Sequence, residues 1–94
     1  MTSKQRAKLK SLAMSEDTIL QVGKGGISEA LIKQIDDALT ARELIKIKVL
    51  ETAPDDIKDI AGELSQATDS EVVQIIGTKI VFFRINPENN KIKI

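Results

Sequence analysis

Residues 43–50, ELIKIKVL, alternate strictly: Ile45, Ile47 and Val49 face one way, and Lys46 and Lys48 the other. A period of two marks a strand with one buried and one solvated face. The flanking chain carries further elements. Residues 4–14 read as a short basic helix with Leu9, Leu12 and Ala13 on one face. Residues 18–22, TILQV, read as a strand with Gln21 its odd polar member. Ser28 is a candidate N-cap for a helix whose apolar stripe is Leu31, Ile32, Ile35, Ala38 and Leu39, ending near Arg42. Glu29 and Lys33 are spaced to pair on its outer side.

Pro54 is expected at or near the first position of a third helix, which carries Ile57, Ile60, Ala61 and Leu64. SEVVQII and KIVFFRI flank Gly77-Thr78, a pair suited to a two-residue type II′ turn. Asn86-Pro87 stops the last strand, and residues 86–94 are expected to be a short, loosely held polar tail. The chain is thus one α/β domain, residues 1–94, in the order α-β-α-β-α-β-β. Two right-handed β-α-β crossovers make the first three strands parallel. If the sheet grows in one direction, both crossover helices cover the same face. The result is a two-layer open-faced sandwich of a four-stranded mixed sheet and three helices. Gln21, Lys46, Lys48, Gln74 and Arg84 are the polar strand positions, but Ile80 and Phe82 share a side with Arg84.

Charge changes this picture. The 14 basic and 14 acidic residues cancel, which alone argues against a nucleic-acid partner. Their distribution does not. Residues 1–48 carry +3, residues 49–78 carry −6 and residues 79–94 carry +3. A fold that gathers the two basic segments has a positive face and a negative back. Cysteine and histidine are absent, which removes thiolate ligands, disulfides and the usual neutral-pH base. No catalytic residue, metal site, cofactor or small-molecule substrate is expected. Asp36-Asp37 and Asp55-Asp56 have no supporting ligand or apolar pocket in the sequence. No apolar run approaches the ~20 residues of a membrane span, and none follows the basic start as a signal peptide would. A cytoplasmic location and no membrane contact are expected.

The remaining chemistry sits in QVGKGGIS, residues 21–28. The loop joins a strand to a helix N-terminus, where unpaired N–H groups and the helix dipole favour anions. Gly23, Lys24, Gly25 and Gly26 fit the G-x-x-G pattern that clamps a nucleotide backbone. A plain turn uses the same residues, so the loop alone does not decide between the two readings. The mononucleotide and dinucleotide glycine motifs are absent. Phe82 and Phe83 are the only aromatics, leaving at most one for stacking on a base.

Four segments together resemble one family. SKQRAKLKSLA at 3–13, QVGKGGIS at 21–28, ALTARELIKIKVL at 38–50 and VVQIIGTKIVFFR at 72–84 resemble, in order and spacing, the CRM domain in its single-domain, YhbY-like bacterial form. The resemblance implies a fold similar to the C-terminal domain of translation initiation factor three. It also implies RNA binding, with ribosomal RNA in large-subunit precursors as partner, and a role in ribosome assembly. The family's G-x-x-G loop corresponds to Gly23 through Gly26, and its basic strand residues to Lys46 and Lys48. Arg6, Lys8, Lys10, Arg42 and Arg84 are expected to extend the positive face. Two positions depart from the pattern: Arg42 stands where histidine is frequent, and Phe83 where tyrosine is common. The rival reading is a protein-interaction module whose acidic helix, residues 55–67, contacts a basic ribosomal protein.

Overall fold

The computed structural model describes all 94 residues. Seven elements follow the expected order: α1 (Ser3–Ala13), β1 (Thr18–Val22), α2 (Glu29–Arg42), β2 (Leu44–Val49), α3 (Ile57–Thr68), β3 (Glu71–Ile76) and β4 (Lys79–Phe83). The sheet order is β1-β2-β4-β3. β1 and β2 are parallel, and β4 is antiparallel to both β2 and β3. The first three strands therefore run the same way, as the crossovers require. The hairpin, however, inserts its second strand in the middle and leaves β3 at the edge. Gly77 has φ +59°, the positive value that the first central residue of a type II′ turn needs.

Both crossover helices cover one face. Leu31, Ile35 and Leu39 of α2 and Ile60, Ala61 and Leu64 of α3 pack on Val22, Ile45, Ile47, Val49, Ile80 and Phe82. The opposite face carries a smaller cluster in which α1 supplies Leu9 and Ala13, and the sheet Leu44, Val73, Val81 and Phe83. Helix ends are closed by side chains. Thr2 and Gln5 form a capping box on α1, Ser28 caps α2 through Leu31 N–H, and Asp56 caps α3 through Lys58 N–H. α3 starts later than expected: Asp56 is the cap and Ile57 the first helical residue, so Pro54 lies in the preceding bend rather than in the helix. Lys33 pairs with Asp37 at 3.2 Å and not with Glu29. No helix is long and apolar enough to cross a membrane.

The junction between α2 and β2 is more than a plain helix end. Glu43 ends α2 with φ +66°, and its N–H donates to the Leu39 carbonyl at 2.8 Å. A non-glycine residue there stores strain of roughly 1–3 kcal/mol. Its side chain is fully buried. The carboxylate accepts four hydrogen bonds, from the N–H groups of Asn86, Lys91 and Ile92 and from the Asn90 amide, at 2.6–2.8 Å. Burial alone pushes this carboxyl upward. The four donors more than reverse that and hold it at about 2, against an ordinary 4.5. The tail is consequently not loose. Residues 86–92 wrap the carboxylate, Asn86 Nδ2 donates to the Thr40 carbonyl, and Ile92 packs on the cluster under α1.

Because the folded-state value is depressed, Glu43 contributes stability that is complete above about pH 4.5. This contribution disappears as pH falls through about 2, and its full size is roughly 3 kcal/mol. Urea midpoints measured across this interval should fall steeply in the wild type. The Glu43→Gln variant should be less stable at pH 7 and flatter below pH 4.5; an unchanged acid profile would show that the carboxylate is not held this way. Ile92→Ala, which keeps the backbone donors to Glu43, should speed hydrogen exchange in α1 before α2 and α3, because the Ile92 side chain supports only the smaller cluster.

Candidate nucleic-acid interface

Strand register decides which charges share a surface. In the antiparallel β2–β4 pair, Lys48 lies directly opposite Lys79, and Gln21 of β1 lies on the other side of Lys48. Two residues back along β2, Lys46 lies opposite Val81, which in turn lies opposite Gln74. Directly opposed residues point to the same face. This is the face carrying α1, because Val81 belongs to the cluster beneath that helix. α1 covers Leu44, Phe83, Val81 and Val73, while Lys46 and Lys48 stay partly open and Lys79 fully so. Lys10, in the last turn of α1, shares a groove with Lys46.

None of these four lysines has an acidic partner. The ion pairs of the chain are Lys33 with Asp37 and Arg84 with Asp36, both outside this face. Like charges directly opposed on neighbouring strands are destabilising by a few tenths of a kcal/mol or more. The Lys48–Lys79 pair is thus a cost that the fold carries without internal relief.

The glycine loop stands at the end of this face. Gly26 N–H donates to the Gly23 carbonyl at 2.9 Å, closing a turn with Lys24 and Gly25 at its exposed tip. The glycines differ in purpose. Gly26 has φ +64°, and a Cβ there would stand 3.0 Å from Pro54 Cγ, so geometry and packing both require it. Gly25 has open space around it and needs no special conformation. The turn is flanked by the segment after β2 and by the hairpin: Leu50 N–H donates to the Val22 carbonyl, and Val49 N–H to the Thr78 carbonyl. Glu51 and Asp55 line a shallow groove of about 240 Å³ against Gly77 and Thr78, which bounds the positive surface on that side.

Other expected contributors are placed elsewhere. Arg84 lies on the helix-covered side. Its guanidinium donates to Asp36 Oδ1 at 2.6 Å, the Asp36 and Thr68 carbonyls and Thr40 Oγ1, tying β4 to both crossover helices. Its parity with Phe82 put it there. Arg6 donates to the carbonyls of Val72 and Val73, each at 2.8 Å, and so anchors α1 to β3. Lys8 donates to the Lys93 carbonyl. Arg42 is exposed in the last turn of α2, at the end of the sheet away from the glycine loop. Phe82 and Phe83 are both buried, so neither presents a stacking surface. Sequence reasoning missed Lys79, whose membership of the lysine row appears only once β4 is known to pair with β2.

The arrangement is a row of unpaired lysines on one sheet face, with a lysine-tipped glycine turn at its end and acidic helices behind. Comparison with known proteins identifies the family. The chain is 44% identical over its full length to Probable RNA-binding protein YqeI of Bacillus subtilis, covering 98% of that protein. It is 32% identical to Probable RNA-binding protein PA4753 of Pseudomonas aeruginosa, over 97% of this chain and 88% of that one. The solution structure of hypothetical protein SAV1595 from Staphylococcus aureus matches with a TM-score of 0.83 and 53% identity, over 100% of this chain and 98% of that one. Residues 1–84 match the profile of the CRS1 / YhbY (CRM) domain, and the chain belongs to that family.

Proposed function

We propose that this protein is a non-catalytic RNA-binding protein that associates with ribosomal RNA in large-subunit precursors and assists their assembly. The observation that carries the reading is the Lys48–Lys79 pair beside Lys46 and Lys10, with Lys24 at the end of the row, all without acidic partners. Phosphates along one strand would relieve the repulsion that the fold leaves standing. Family membership and the names of the relatives point the same way. With both phenylalanines buried, contacts to the sugar–phosphate backbone dominate over stacking on aromatic side chains.

The protein should travel with large-subunit precursors on gradients at low salt and leave them as salt rises, because phosphate contacts release counterions. A position at the top of the gradient at every salt would remove the ribosomal part of the reading. In binding to a purified ribosomal RNA fragment, Lys48→Ala should lower affinity and reduce the slope of log K against log salt by roughly one. Lys24→Glu and Gly25→Asp should each weaken binding with unchanged thermal unfolding, since both positions are exposed and Gly25 has room for a side chain. Wild-type affinity in both would take the loop out of the mechanism.

A second surface has its own support. Asp59 and Glu63 are exposed and unpaired along α3, with Asp55 exposed just before its cap, which suits a basic ribosomal protein. Neutralising the pair as Asp59→Asn and Glu63→Gln should weaken such an association and leave RNA affinity unchanged, since both lie on the side of the sheet away from the lysines. Asp56 is spared in this test because it caps the helix.

A further inference from the structure

The groove shared by Lys10 and Lys46 has features that a phosphate-binding face does not need. It is an opening of about 430 Å³ between α1 and the sheet. That volume falls in the range of small-ligand sites. Its surface is mainly apolar: Ala13, Met14 and Ile76 contribute to it, and Met14 and Ile76 are 83% and 54% exposed. Large apolar side chains left open beside two unpaired lysines are a poor surface for water and a good one for a flat, apolar face attached to phosphate.

The sequence builds this groove by a local irregularity. The β3–β4 register shifts between Val72 and Gln74, a β-bulge. Val72 packs toward the crossover helices, Val73 into the cluster beneath α1, and Gln74 lines the groove. Two successive side chains therefore leave by the α1 face, where regular alternation allows one. Arg6 caps the carbonyls of Val72 and Val73 and fixes α1 beside the bulge. Gln74 makes no side-chain hydrogen bond within the chain, so its amide offers a donor and an acceptor to whatever enters.

We propose that this groove receives one unpaired base of a single-stranded RNA segment, a deepening that rests on the RNA reading above. The base lies against Met14 and Ile76, its edge meets the Gln74 amide, and the phosphates on either side meet Lys10 and Lys46. A base held in a duplex cannot enter, because its faces are covered by its neighbours. The site selects single-stranded RNA over duplex, while the Lys48–Lys79 row and Lys24 hold backbone of either kind.

The test uses one RNA strand, free or annealed to its complement, and fluorescence anisotropy. The double variant Met14→Ser, Ile76→Thr changes exposed positions only. It should lose affinity for the free strand by roughly five- to tenfold, as expected when part of two apolar side chains is no longer removed from water, and keep its affinity for the duplex. A 2-aminopurine at the centre of the strand should brighten on binding to the wild type, since the base leaves its stack and no aromatic side chain is exposed to quench it. That rise should vanish in the variant and in Gln74→Leu, which preserves bulk and removes the amide. Unchanged affinity and an unchanged 2-aminopurine signal in the variants would overturn the groove assignment and leave the lysine face standing. If Lys24→Glu and Lys48→Ala also bind both RNAs as the wild type does, the lysine face falls too; if the wild type binds neither RNA, the RNA reading itself fails.

Discussion

The buried carboxylate of Glu43 is the constraint on which the rest of the architecture depends. It closes α2, opens β2 and gathers four donors from residues 86–92. An unpaired charge in that position would cost several kcal/mol, so the tail must be in place whenever the domain is folded. The consequence reaches further than the junction. Ile92, whose own N–H donates to that carboxylate, packs with Leu9 and Ala13 of α1. α1 in turn forms one wall of the groove that holds Lys10 and faces Lys46. A single glutamate at a helix end thus stabilises, through the tail, the wall of a surface on the far side of the sheet.

This dependence explains what could and could not be read in the sequence. Apolar periodicity located all seven elements, because each helix or strand buries one continuous stripe; the bounds were less exact, with α3 starting at Ile57 rather than near Pro54 and β4 ending at Phe83. The place of β4 between β2 and β3 was not legible, since a hairpin can join a sheet by either strand. Lys79 was lost with it. Arg84 was a different case: its parity with Ile80 and Phe82 already set it apart from Lys46 and Lys48, and parity proved the better guide than its charge. Glu43 left almost no local trace. A glutamate between a helix and a strand reads as solvated, and its four partners lie more than 40 residues away. The tail that supplies them is polar, and a polar terminal segment carries no local sign of being held.

The glycine loop shows the same division between local and distant causes. Gly26 is fixed by its positive φ and by Pro54, which belongs to the segment after β2. Gly25 is fixed by nothing within the chain. A glycine that no internal contact requires, next to an exposed lysine at the end of a lysine row, is more informative about a partner than one that a turn demands. The two glycines look identical in the motif, and only the packing separates them.

Zero net charge then loses its force as an argument against RNA. The lysine row and the acidic helices lie on opposite sides of the sheet, across a body whose shortest dimension is 21 Å. Exposed charges at physiological salt are screened over ~8 Å, so a phosphate on the lysine face is affected chiefly by the lysines near it. The acids of α3 neither neutralise that face nor repel its ligand strongly. They do oppose binding in any orientation that turns the helices toward RNA. The distribution of charge, with its total at zero, orients the protein on a polyanion, and a more basic α3 would bind RNA from both sides and lose that orientation.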